Sequence, residues 1–226
     1  MQAVRRSSLL ASLFGLVVVL ALVSAPARAD IYSYTDADGV VHFTNITPSG
    51  AGQGRWTKIY KTGPGKAGAQ RGSCERCDVV PARDASAARF SRYDDYIHEA
   101  SQLYAMPEPF IRAVIHVESS YDPRVVSSAG ARGLMQLMPS VIHDMRVADA
   151  HDPRENIMGG TRLLRILANK YDGDMTLTIA AYHAGAGNVA RWGGVPPYET
   201  TQLYVKLVLA QYYRYKEKRT EGKRGE

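Results

Sequence analysis

The stretch over residues 109–118, Pro-Phe-Ile-Arg-Ala-Val-Ile-His-Val-Glu, places Ile111, Val114, Ile115 and Glu118 at i, i+3, i+4 and i+7. A helix here turns a carboxylate to the same side as its apolar residues. A chain with this pattern has to fold around its acid. Taken out of water, the ionised form is disfavoured and the pKa rises, as a general acid working near neutral pH requires. The competing assignment is a salt-bridged glutamate at a helix end, and the downstream sequence bears on the choice.

Residues 133–139, Gly-Leu-Met-Gln-Leu-Met-Pro, begin fifteen residues after Glu118. They read as a short apolar helix carrying one amide, Gln136, with Pro139 opening the next helix, where its missing N–H costs nothing. An amide among Met and Leu must find partners, and the hydroxyl and acetamido groups of a sugar suit it. Residues 180–188 put Tyr182 at a helix end, where Gly185 and Gly187 let the chain turn. Residues 196–205 then lead into a last helix.

Taken together and in this order, these segments resemble the lytic transglycosylases of bacterial cell walls, in the lysozyme-like domain of the soluble enzymes. The resemblance covers about residues 90–215 and rests on Glu118-Ser119, residues 133–139, residues 152–157, the Tyr182 motif and residues 199–205. It implies that Glu118 is the catalytic acid and base, that Ser127, Gln136, Met138, Tyr182 and Tyr204 line a groove around it, and that glycan strands of peptidoglycan are the substrate. Where the family has Asn after the motif's tyrosine, this chain has His183. Both side chains hydrogen-bond, but His also becomes cationic near pH 6.5 (roughly), and a cation beside Glu118 would lower the pKa of the acid.

Glycosidases usually work with two carboxylates. Between Glu118 and His143 the only other acid is Asp122, which precedes Pro123 in a turn where Asp bonds its own backbone. Asp172 and Asp174 flank Gly173 and read as helix punctuation. Without an evident second acid, the resemblance implies a substrate-assisted path that closes a 1,6-anhydro ring. Three alternatives stay open: a hydrolytic lysozyme of the same fold, a non-catalytic peptidoglycan-binding module, and an assembly protein that brings a wall-opening domain to envelope machinery.

At the other end, Arg5-Arg6, the apolar run over residues 9–23 and Ala27-Arg28-Ala29 have the three regions of a secretory signal, with cleavage expected after Ala29. The run is about fifteen residues, short of the roughly 20 that span a bilayer. The expectation is a periplasmic protein with no transmembrane anchor after processing. Removing residues 1–29 takes Lys+Arg from 28 to 25 against 22 Asp+Glu, so the net charge falls from +6 to +3. That mild basicity suits an anionic polymer, whereas nucleic acid is not an expected partner because no basic and aromatic residues interleave. Cys74 and Cys77 form a single C-x-x-C, which in an oxidising compartment favours a local disulfide over zinc, for which two more ligands are needed. No metal and no cofactor are expected.

The predicted organisation is a signal over 1–29, a small β module over 30–62, a linker with the C-x-x-C over 63–86, the catalytic domain over 87–215 and a charged, frayed tail over 216–226. In the module, residues 31–34 and 40–43 flank a turn ending in Gly39, and residues 55–60 suggest a third strand. It resembles a small hairpin module common in bacterial envelope proteins. Beyond about Phe90 the spacing of Tyr93, Tyr96, Ile97 and Ala100, of Leu163, Leu164 and Leu167, and of Leu203, Leu207 and Val208 is helical. The fold class is therefore mainly α: a lysozyme-like helical domain behind a small β-hairpin module.

Overall fold

The computed structural model describes residues 31–35, 41–44, 56–60, 84 and 86–222. The expected signal, the turn ending in Gly39, most of the linker with Cys74 and Cys77, and residues 223–226 lie outside the described residues. The N-terminal part is a three-stranded antiparallel sheet of β1 (Ile31–Thr35), β2 (Val41–Thr44) and β3 (Thr57–Tyr60), with β1 in the middle. The expected third strand therefore pairs on the free side of β1, opposite β2.

After a 3-10 turn over Ala87–Phe90 come seven helices: α1 (Asp94–Tyr104), α2 (Glu108–Ser119), α3 (Pro139–Asp144), α4 (Pro153–Lys170), α5 (Met175–Ala184), α6 (Ala186–Trp192) and α7 (Glu199–Gly222). Their boundaries follow local chemistry. Pro107, Pro139 and Pro153 stand at helix starts, and the Asp152 and Asp174 side chains cap α4 and α5 by accepting from the Glu155 and Leu177 amides at 2.8 and 2.9 Å. Asp174 is thus the helix punctuation expected of it.

α2 is the centre of the domain. Phe110, Ile111, Ala113, Val114 and Ile115 are buried, with α7 packed on the helix, while α1 packs on α4 and α5 on both α4 and α7. α1 is tied to α4 by the Arg154–Glu99 ion pair and by Arg165 donating to the Tyr104 carbonyl at 2.6 Å. α7 is helical as its spacing predicts; its inward stripe is Thr201, Tyr204, Val205 and Val208, and Leu207 is exposed. Likewise Tyr93, Ile97 and Ala100 are buried at α1, whereas Tyr96 is exposed. α7 also continues to Gly222, so residues 216–222 are helical rather than frayed. Lys, Arg and Glu are good helix formers, and packed Tyr212 and Tyr215 hold the preceding turn in place.

Candidate active site

Glu118 occupies the last turn of α2, next to two consecutive residues with left-handed backbone, Ser120 (φ 50°) and Tyr121 (φ 68°). Such non-glycine conformations cost on the order of 1–3 kcal/mol each and persist only where the surroundings hold them. Here Tyr121 is held by burial, with its ring edge-on to Phe90. The break swings the chain away from α2 and leaves the last turn facing the segment that follows Arg132.

That segment differs from expectation. Residues 133–138 form a tight turn closed by a pair of bonds, Arg132 N to Leu137 O at 3.0 Å and Leu137 N to Arg132 O at 2.9 Å. The reason lies in its backbone and its neighbours. Gly133 (φ 78°) and Gln136 (φ 48°) are left-handed, which interrupts a right-handed helix, and three side chains from elsewhere take the peptide groups that a helix would use. Ser119 Oγ donates to Leu134 O at 2.8 Å, Asn156 Oδ1 accepts from Met135 N at 2.8 Å, and Tyr182 Oη donates to Met135 O at 2.7 Å. A Cβ on Gly133 would stand 2.1 Å from Ala150 O, so only glycine fits.

The carboxyl of Glu118 is surrounded by protein but retains a partly exposed side. Burial pushes its pKa from 4.5 to about 8, opposed by the Tyr204 hydroxyl, which donates to Oε1 at 2.5 Å. The negative end of the α2 dipole acts in the same direction as burial. At neutral pH the group is therefore largely protonated. The hydroxyls of Tyr204 and Tyr182 are held well above the ordinary phenol range, first by burial and then by the adjoining Glu118 charge, so both stay neutral donors.

The structure thus brings together Glu118, Tyr182 and Tyr204. Gln136 lies within the turn, and both of its amide hydrogens are taken by backbone carbonyls, Gly133 O at 2.8 Å and Val125 O at 3.0 Å. The expectation that its amide awaits a sugar is corrected for the NH₂ end; the amide supports the turn. Ser127 accepts from Ala131 N at 3.0 Å through Oγ and shapes the loop before the turn, while Met138 is exposed at the start of α3. His183 is exposed at the surface, but its ring stacks on Tyr204 with centroids 4.5 Å apart and Nδ1 lies 3.2 Å from Thr201 Oγ1. Burial of that ring face lowers its pKa, so a cation there is disfavoured, and Glu118 is pushed up rather than down.

Asp122 bonds its own turn, Oδ1 accepting from Arg124 N at 2.9 Å, and its side chain is buried. His116 lies on the other side of α2 from Glu118, stacked on Phe90 and 2.9 Å from Tyr215 Oη, as the helical angle between the two positions dictates. Two supporting residues went unassigned in the sequence: Ser119, directly after the acid, and Asn156, fully buried, which also donates to Ala150 O at 2.7 Å and Arg132 O at 3.0 Å. The signal for both was their presence in the recurring segments around Glu118 and residues 152–157.

Comparison with known proteins agrees with this geometry. Residues 95–204 match the family described as Transglycosylase SLT domain, and residues 18–71 match a domain of unknown function, DUF4124. The chain is 43% identical over 97 residues to the transglycosylase of Enterobacteria phage PRD1, covering 43% of this chain and 36% of that protein. It is 31% identical over 148 residues to the soluble lytic murein transglycosylase of Escherichia coli K12, covering 54% and 23%. This chain therefore spans well under half the length of either relative. Among solved structures, an inactive mutant of lytic transglycosylase Slt from Pseudomonas aeruginosa aligns with a TM-score of 0.52 at 24% identity, over 57% of this chain and 25% of that one, which is a likeness of fold. The 70-kDa soluble lytic transglycosylase in complex with bulgecin A aligns with a TM-score of 0.51 at 31% identity, over 56% and 25%. The half-buried acid at the end of α2, facing a turn pinned by Ser119, Asn156 and Tyr182, thus lies within residues 95–204, the part of the chain that matches the transglycosylase SLT domain family.

Proposed function

We propose that the chain is an exported, periplasmic lytic transglycosylase that cleaves the β-1,4 bond between N-acetylmuramic acid and N-acetylglucosamine in peptidoglycan without water. The observation that carries this reading is the setting of Glu118: a half-buried side chain at the end of α2 whose carboxyl accepts from the Tyr204 hydroxyl and whose pKa burial pushes up to about 8. It protonates the glycosidic oxygen as the C1–O bond breaks, and the substrate's own N-acetyl group stabilises the positive centre. The carboxylate then takes the proton of the muramyl 6-hydroxyl, O6 bonds to C1, and a 1,6-anhydro ring closes. The side chain that shifts the pKa of Glu118 is Tyr204, and no second acid among the described residues acts on it. That favours ring closure over a two-carboxylate hydrolysis. The Escherichia coli relative carries lytic murein transglycosylase in its name, which supports the substrate class.

The product decides the matter. Digestion of purified peptidoglycan is expected to give muropeptides one water lighter than their hydrolytic counterparts and resistant to borohydride, read together by mass spectrometry. Reducible, hydrated ends would make this a lysozyme. Release of no fragments would leave only a binding module.

The pH profile tests the role of Tyr204. The alkaline limb of kcat/KM is expected near pH 8, where Glu118 loses its proton. Tyr204→Phe removes the bond that opposes burial, so the limb should move to higher pH while kcat falls about 10- to 100-fold, the donor no longer stabilising the carboxylate of the second step. A limb that stays put would show that Tyr204 does not govern the acid. For His183→Asn we expect an unchanged acidic limb, because burial disfavours the histidine cation; a limb extended toward acid would restore the cationic role.

A further inference from the structure

The N-terminal sheet carries a feature that cleavage at Glu118 does not use. β1 pairs with β3 so that Tyr32 stands opposite Lys58 and Ser33 opposite Thr57, which brings Trp56 beside Tyr34. The rings of Tyr34 and Trp56 meet edge-on with centroids 4.3 Å apart, and Lys58 Nζ lies 5.8 Å from the centre of the Tyr32 ring. Side chains alternate along a strand, so Tyr32 and Tyr34 share one face, and Ser33 points to the other and is buried. Tyr32, Tyr34 and Trp56 all remain partly exposed, and Lys58 is exposed.

Cross-strand pairing of aromatic rings adds to the stability of so small a sheet. It does not account for three aromatic rings left partly in water along a line that ends in a cation. Tyr and Trp offer an apolar ring face with a polar handle, suited to surfaces that are apolar in part and wet in part. A pyranose ring is such a surface, with C–H bonds on its face and hydroxyls at its rim. In the murein glycan strand the same repeat carries a lactyl carboxylate, or the carboxylates of the stem peptide, which complement Lys58.

We propose that this face is a second glycan-binding site, in which sugar rings lie on Trp56 and Tyr34 and a carboxylate of the strand meets Lys58. The inference rests on peptidoglycan being the substrate. Joined to the catalytic domain by one chain, a weak site of this kind raises the local concentration of strand at Glu118 without adding a contact to the reacting bond.

The chain has two tryptophans, Trp56 and Trp192, so Trp192→Phe leaves Trp56 as the only indole reporter. Full chain carrying Trp192→Phe and Glu118→Gln, to prevent cleavage, is titrated with soluble peptide-free murein glycan chains and separately with chitin oligomers, which lack the carboxylate. A saturable change in Trp56 emission is expected with both, stronger binding with the murein chains, and a loss of about 5- to 10-fold for murein but not chitin on Lys58→Gln. Circular dichroism and a thermal melt of the Lys58→Gln chain check that the fold is retained. Flat Trp56 emission while the chain still sediments with sacculi overturns the proposal, since the groove alone then binds. Equal affinity for murein and chitin overturns the contact at Lys58. Failure of the catalytic reading shows up separately, as Glu118-intact chain that releases no fragments whatever Trp56 reports.

Discussion

Glu118→Gln is expected to abolish cleavage, by at least the roughly 10²- to 10⁴-fold that general acid catalysis contributes, with folding and glycan binding retained. The amide keeps the shape and the contact with Tyr204 but has no proton of the right acidity to give. Asp122→Asn is the contrast: it keeps the oxygen that accepts from Arg124 N, and its activity should stay within a few-fold of the parent. Equal losses at the two positions would point to a pair of carboxylates instead. The same substitution has a second signature. Because the folded pKa of Glu118 lies above its unfolded value, the folded protein binds the proton more tightly, and stability is lost as pH rises from about 4.5 through about 8. Gln does not titrate. The variant should therefore match the parent near pH 4 and exceed it above pH 8 by about 1–3 kcal/mol, partial solvent access moderating the full effect of the shift. Thermal melts across this range that run parallel would show that Glu118 ionises freely in the folded state.

Asn156→Ala is expected to cost about 3–5 kcal/mol, because it leaves Met135 N, Ala150 O and Arg132 O without their buried partner at once, each worth about 1–3 kcal/mol and not strictly additive. Against the roughly 5–15 kcal/mol of a typical domain, that is a large share. Activity should fall further than stability alone explains, since the turn at residues 133–138 faces the acid. Denaturant midpoints and rates measured well below the melting temperature separate the two effects. A variant within 1 kcal/mol of the parent that also retains full activity would mean the turn is held by Ser119 and Tyr182 without it.

Much of this protein was legible from local pattern. The i, i+3, i+4, i+7 spacing that ends in Glu118 survives as a buried helical face, since burial of α2 depends only on which side its apolar residues share. Asp152 and Asp174 cap helices, Pro139 opens α3, and Asp122 turns back on its own backbone, all interactions within a few residues that a linear sequence specifies. The same holds for the strands of the N-terminal sheet. What local pattern could not give was the path of residues 133–138. Their apolar character suggests a helix, and nothing within the segment announces that Ser119, Asn156 and Tyr182, up to 47 residues away, will take its peptide groups. The spacing of Leu203, Leu207 and Val208 announced a helix but not which of its faces is buried, and it is Tyr204, drawn in toward the Glu118 carboxyl, that lies inside while Leu207 is exposed. His183 was judged by its capacity for charge, while its stacking on Tyr204 and the desolvation that disfavours its cation exist only once α5 and α7 are packed together. The sequence by itself thus singled out Glu118 as the proposed acid and determined which helix carries it. Its pKa, its hydroxyl partner and the wall it faces were decided by tertiary structure, since desolvation and long-range hydrogen bonds are properties of the packed chain.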